Sequence, residues 1–215
     1  MKKLNKQNKA ENSTSKHVLS AILRSDVLSI TNISESKHPT EGTSEKVYTE
    51  KEIIDLYNSG RRNFNGINAM GADLSGADLR GANFEGANLC GSNLQDANFQ
   101  GSNLSGANLS YTNLKDTNLK YANLAGADLR GANLEGANLH DAYLKGVDLT
   151  NANLHGANLR GADLTGANIS YADLSCADLT DANLINANLS NANLESAELK
   201  GVTISFGNIV GKLYK

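Results

Sequence analysis

From about Arg62 onward the apolar and polar positions of this chain recur every five residues without a slip in register. Counting from Leu74 as a central position i, 28 consecutive units run to Ile209; 23 of the central residues are Leu and the others are Phe84, Phe99, Ile169, Ile204 and Ile209. Position i−2 is Ala in 21 of the 28 units, and its exceptions (Ser92, Ser102, Thr112, Thr117, Val147, Val202, Gly207) are all compact. Position i−1 is Asn or Asp except at Tyr143, Glu198 and Thr203; i+1 varies freely and i+2 favours Gly.

A period of five matches neither the 3.6 of a helix nor the 2 of a long strand. Positions i−2 and i, two apart in extended backbone, share one face, and the Asn or Asp between them points the other way. Gly at i+2 admits positive φ, and Asn or Asp bonds readily to nearby backbone, so each unit carries its own bend. The chain therefore winds around its apolar side. A single unit cannot bury its Leu, so coils must stack.

The run Ala-Asp-Leu-Ser-Gly, Ala-Asp-Leu-Arg-Gly, Ala-Asn-Phe-Glu-Gly from Ala72 to Gly86 resembles the pentapeptide-repeat family, over roughly residues 62–211. The resemblance implies an all-β solenoid, a right-handed quadrilateral β-helix in which four units make one coil. On that basis 28 units make about seven coils, roughly 34 Å long at ~4.8 Å per coil. Each buried Leu contributes about 1.5–3 kcal/mol before entropy is subtracted, so a column of them can hold the solenoid without an aromatic core.

Stacked coils need capped ends. Thr49-Glu50-Lys51-Glu52 is a capping box ahead of Ile53, Ile54, Leu56 and Tyr57, and Asn58-Ser59-Gly60 ends the segment, predicting a short helix over 49–60 in front of a solenoid over 61–215. The stretch Ile54 to Phe64 resembles the segment before the coils in cyanobacterial members of the family. The first coil starts irregularly, with Ala69 where a large residue belongs. Apolar residues between Gly201 and Lys215 offer a last coil and a surface for an end-to-end homodimer. Residues 1–48, rich in Lys, Ser, Asn, Glu and Thr, read as a largely disordered tail with one short amphipathic helix over Val18–Ile30. Arg24 and Asp26 split that apolar stretch and no small-residue cleavage site follows, which argues against a signal peptide.

Composition narrows the function. No stretch approaches the ~20 apolar residues of a membrane span. Cys90 and Cys176 stand more than four coils apart, roughly 20 Å at ~4.8 Å per coil, too far for a disulfide. Two unpaired thiols fit a reducing compartment, and the expectation is a cytoplasmic protein. His17, His38, His140 and His155 lack ligand spacing, and no nucleophile–base or phosphate-loop signature occurs, so no catalytic residue, metal, cofactor or small-molecule substrate is assigned.

The outward i+1 positions remain. Folded at a period of 20, one column reads Arg80, Gln100, Lys120, His140, Arg160, Thr180, Lys200, a stripe without acidic residues that Asp78, Asp141, Asp178 and Glu198 partly neutralise. Tyr111 and Tyr171, which share another column, and Tyr121 are candidate contact anchors. The expected function is a non-catalytic scaffold whose outer face, Arg80, Lys120, His140, Arg160 and Lys200 with Tyr111, Tyr121 and Tyr171, binds an unidentified protein. The alternative comes from the quinolone-resistance branch of the family, whose members resemble B-form DNA and bind DNA gyrase. Residues 62–215 carry 10 Lys+Arg and 15 Asp+Glu, the right sign but with the charges mixed. Direct nucleic-acid binding is disfavoured, because no aromatic stacking platform accompanies the basic column.

Overall fold

The computed structural model describes residues 46–206 and 209–212. Of the tail expected over 1–48, residues 1–45, with the helix expected at Val18–Ile30, lie outside the described residues.

From Asn63 on, each i−1 residue forms a parallel bridge with the residue twenty positions later, as in Asn63↔Asn83, Asn83↔Asn103 and Asp178↔Glu198. A two-residue turn follows every extended stretch. Four turns per twenty residues make each coil four-sided.

The unit Ala97–Gly101 shows why five residues suffice, because each of its five backbone N–H groups has a partner. Ala97 N–H closes the preceding turn on the Leu94 carbonyl (3.1 Å), and Asn98 N–H bonds back one coil to Ala77 (2.8 Å). Phe99 and Gly101 N–H bond forward to Asn118 (2.8 Å) and Lys120 (2.9 Å). The fifth, Gln100 N–H, has no carbonyl in reach and is taken by Asn98 Oδ1 at 3.1 Å. The Asn or Asp at i−1 is therefore the side chain that completes the backbone's hydrogen bonding. Its amide also donates to the neighbour one coil back, as in Asn113 Nδ2 to Asn93 Oδ1 (3.0 Å) and Asn123 Nδ2 to Asn103 Oδ1 (3.1 Å). Each face thus carries an amide ladder outside its apolar column.

Inside, the central residues from Leu74 to Leu184 are buried, and the Ala positions beside them let the coil close tightly. Phe64 stacks on Phe84 with ring centroids 5.0 Å apart, and Phe84 meets Phe99 edge-on at 5.7 Å. The irregular first coil is an exchange of sizes: Ile67 takes the small position and Ala69 the large one, and both are buried. At i+2 every non-glycine residue from Asp96 to Ser196 holds φ between +54° and +60°. That backbone suits Gly and is tolerated by Asn and Asp, but a bulky L-residue pays roughly 1–2 kcal/mol there.

Helix α1, Glu50–Asn58, precedes the coils. Its capping box is formed, with Thr49 N–H donating to Glu52 Oε2 at 2.9 Å and Glu52 N–H to Thr49 Oγ1 at 3.4 Å. The Thr49 backbone bond, reinforced by Lys46, lowers the Glu52 carboxyl to about 2. Ile53 is buried with the core, and Tyr57 OH donates to the Arg80 carbonyl at 2.8 Å. Val47 and Tyr48 also belong to this end: Val47 bridges Asn68, and Tyr48 N–H bonds the Asn68 carbonyl at 2.7 Å.

The C-terminal end departs from the pattern. Strand β1, Asn183–Leu184, pairs in parallel with β2, Thr203–Phe206, as the coils do. Strand β3, Ile209–Lys212, then runs back antiparallel along β2, with Phe206 opposite Ile209 and Thr203 opposite Lys212. Ile209 is therefore not the central residue of a further unit, although it falls on the five-residue period. The return strand covers a backbone edge that a continuing coil would have left open. Leu189, Leu194 and Leu199 of the preceding coil are only partly buried.

Candidate functional site

The four-sided coil decides which outward residues can act together. Residues 80–81, 100–101 and so on to 200–201 form one corner, and residues 90–91 to 190–191 form another, ten residues away in a twenty-residue coil and so diagonally opposite. The first carries Arg80, Lys120, Tyr121, His140, Arg160 and Lys200. Tyr111 and Tyr171 lie on the second. The structure thus divides the sequence-derived set in two, because turns ten residues apart face opposite ways.

The two arginines of the basic stripe are spent within the molecule. Arg80 forks onto Asp78, Nε to Oδ1 at 2.8 Å and Nη2 to Oδ2 at 2.7 Å, and this bond holds the Asp78 carboxyl below the usual carboxylate range. Arg160 Nη1 lies 3.3 Å from Asp178 Oδ2. His140 donates Nδ1–H to the Arg160 carbonyl (3.0 Å), and its Nε2 lies 3.2 Å from Asp141 Oδ2. Lys200 meets Glu198 only through its backbone N–H, 3.2 Å from Oε1, and its ammonium forms no ion pair among the described residues. The two arginine pairs arise from the repeat itself, which sets an i+1 cation beside the i−1 carboxylate of its own unit or of the next coil. Exposed ion pairs of this kind contribute at most about 1 kcal/mol each, and they neutralise the two arginines but not Lys120 or Lys200.

What stays distinctive on this corner is aromatic. Tyr121 is exposed, with Lys120 Nζ 4.8 Å from its ring centroid and the His140 ring at 6.1 Å. Tyr143 stands one coil on and two residues along, in a ladder position between Asn123 and Asp163, and it too is exposed. The sequence marked Tyr143 only as a departure from Asn or Asp; its closeness to Tyr121 and His140 needs the twenty-residue coil to be seen. On the opposite corner Tyr111 and Tyr171 are 55% and 61% exposed.

Among the described residues no group of three or more His, Cys, Asp or Glu side chains converges as a metal site would require. Cys90 and Cys176 are both free. No described helix is long and apolar enough to cross a membrane.

The model for pentapeptide repeats matches residues 72–110, 97–136, 112–151, 142–179 and 177–211, and the chain belongs to the pentapeptide-repeat family. Membership makes the coils a right-handed β-helix solenoid, the hand that parallel β crossovers take. Similar solved structures include HetL, a pentapeptide-repeat protein involved in heterocyst differentiation regulation from the cyanobacterium Nostoc sp. strain PCC 7120, at 31% identity over 74% of this chain and 98% of that one, TM-score 0.37. Rfr23 from the cyanobacterium Cyanothece 51142 is 28% identical over 59% of this chain and 86% of its own, TM-score 0.26. Full-length QnrB1, a plasmid-mediated fluoroquinolone resistance protein, is 24% identical over 60% and 80%, TM-score 0.32. No curated protein matches the chain.

Proposed function

We propose that this chain is a non-catalytic, cytoplasmic scaffold of about seven coils, capped by α1, which binds a protein partner through the corner bearing Tyr121 and the adjoining face bearing Tyr143. One observation carries the reading: both tyrosines are exposed at positions where the repeat mostly uses Gly and Asn, and Tyr121 is held at φ +60°. A bulky residue in left-handed backbone costs stability and gains no core contact in return, as is common at binding sites. Tyr also supplies rigid contact area with a polar tip, and Lys120, His140 and Arg160 border it as a polar rim.

The gyrase-binding alternative draws less support. Duplex DNA presents one charge per ~1.7 Å of axis, whereas Asp78, Asp128, Asp163 and Asp178 here are paired with Arg80, Arg130, Lys145 and Arg160.

The test is native capture with the full chain against the double variant Tyr121→Gly, Tyr143→Asn. Both changes restore residues the repeat uses at those positions, so folding is retained. Loss of a specific partner supports the assignment; a partner held equally by both chains removes it. Recovery of gyrase subunits that the double variant still binds would favour the alternative.

A further inference from the structure

The corner opposite the proposed partner site carries a second pattern. Beyond Met70-Gly71 in the first coil, its rows are Cys90-Gly91, Ser110-Tyr111, Arg130-Gly131, Thr150-Asn151, Ser170-Tyr171 and Ser190-Asn191. Ser110-Tyr111 and Ser170-Tyr171 sit at equal distances either side of a point between the Arg130 and Thr150 rows. Both tyrosines hold left-handed backbone, at φ +58° and +60°, both are exposed, and the two serines beneath them are buried. The tyrosines stand three rows apart, about 14 Å at ~4.8 Å per row.

The charge on this corner is equally specific. Arg130 is its only charged residue between Cys90 and Asn191, and it is neutralised in place: Nε donates to Asp128 Oδ1 at 2.8 Å, Nη2 to Asp128 Oδ2 at 2.6 Å, and Asp148 lies 4.0 Å away. The Tyr111 ring lies along the corner over the next coil, since a Cβ added at Gly131 would sit 2.8 Å from a ring carbon. The ring therefore points toward the midpoint of the pattern.

We propose that this corner is a self-association surface, in which a second copy of the chain lies antiparallel so that Tyr111 of each copy meets Tyr171 of the other. An isologous contact requires a patch that matches itself under a two-fold rotation. A column with like residues equidistant from its centre meets that condition when one copy is reversed. With 15 Asp+Glu against 10 Lys+Arg over residues 62–215, two copies repel in general. The electrically quiet corner is where they can approach. Two tyrosine pairs along one corner make a small contact, so the expected dimer is weak, in the micromolar to millimolar range. It leaves the Tyr121 corners of both copies facing outward, making the pair bivalent.

Sedimentation velocity of the full chain up to about 1 mM gives the first readout, against the variant Tyr111→Gly, Tyr171→Gly. The expected result is a concentration-dependent shift toward dimer that the variant loses. Orientation is read by disulfide cross-linking in a Cys90→Ser, Cys176→Ser background, with Tyr111→Cys on one chain and Tyr171→Cys on another. Cys is acceptable there, because Cys176 already holds φ +60° at the same position of its unit. Cross-linking in the mixture, and far less in either chain alone, is the antiparallel signature. A chain that stays monomeric, a dimer that survives the tyrosine variant, or preferential Tyr111→Cys self-cross-linking would each overturn the proposal.

Discussion

Replacing Asn113 separates the two jobs that the i−1 residue performs. Its Oδ1 accepts from Lys115 N–H at 3.2 Å and, more weakly, from Asn133 Nδ2 at 3.5 Å. Its Nδ2 donates to Asn93 Oδ1 at 3.0 Å and to Gln95 Oε1 at 3.3 Å. Asn113→Ala removes all four bonds and leaves the Lys115 N–H without its acceptor. At about 0.5–1.5 kcal/mol for each of the three shorter bonds, reduced because water reaches this half-buried site, the expected loss is about 1–3 kcal/mol. Asn113→Asp keeps the shape and the acceptor role but loses both donors and sets a carboxylate against the Asn93 oxygen. Its expected cost at pH 7 is about 1–2 kcal/mol. That cost is highest while the carboxylate is ionised. It shrinks as pH falls through the ordinary carboxylate range near 3.9, where a protonated carboxyl donates to Asn93 again.

Five of the seven ladder aspartates, Asp78, Asp128, Asp148, Asp163 and Asp178, have a cation within 4.0 Å, and Asp73 and Asp173 form no ion pair among the described residues; Lys115 next to Asn113 is engaged by Glu135 at 2.9 Å. Urea unfolding of the three proteins at pH 7 and pH 3.5 is the assay. Two variants as stable as the parent, or an Asn113→Asp deficit that grows at low pH, would refute the ladder as a source of stability.

Core, turn and charge predictions follow the same geometry. Leu134→Ala, at a fully buried central position, should lower stability by about 2–5 kcal/mol in urea melts, with the size set by how far the coil collapses. Tyr121→Gly should raise the unfolding midpoint, by roughly 1–2 kcal/mol, while weakening partner capture. Arg130→Gln removes the hydrogen bond that chiefly lowers the Asp128 carboxyl. Because Asp128 is depressed in the folded state, its contribution is present above the unfolded carboxylate pKa and is lost as pH falls through the folded value. The variant should therefore be less stable than the parent at pH 7, by under about 1 kcal/mol for a largely exposed pair, and indistinguishable from it once Asp128 is protonated. Equal stability of the two at pH 7 would mean the fork contributes nothing.

Much of the solenoid is legible in the chain because each unit states its whole local rule: small, amide, large, variable, turn. Leu89 and Leu159 obey it alike, so the core could be named residue by residue. The number of units per coil is not in that rule, since nothing in five residues specifies the corner angle, and the family resemblance supplied it. Everything that depends on the coil was correspondingly harder to see. Tyr111 and Tyr121 look like neighbours in the chain yet face opposite ways, while Tyr143 joins Tyr121 across twenty-two residues. The C-terminal end was misread for a different reason: Ile204 and Ile209 both satisfy the period, and the switch from coil to return strand depends on an open edge that no single unit encodes. The pairing of the stripe's arginines was half visible, because Asp78 beside Arg80 can be read from the chain, but Arg160 meeting Asp178 requires adjacent coils.

The core register repeats every five residues, whereas the proposed binding register repeats every twenty. Deleting residues 132–136 tests both halves at once. The deletion removes one whole unit, so every Leu and amide downstream keeps its role, but His140, Tyr143 and Arg160 turn a quarter of a coil away from Tyr121. Deleting residues 82–86 instead leaves those four in their original relation. Unfolding and partner binding of the two chains, measured side by side, should show both folding cooperatively and only the second retaining the partner at its original affinity. A 132–136 deletion that still binds as tightly, or one that fails to fold while its 82–86 counterpart folds, would contradict the claim.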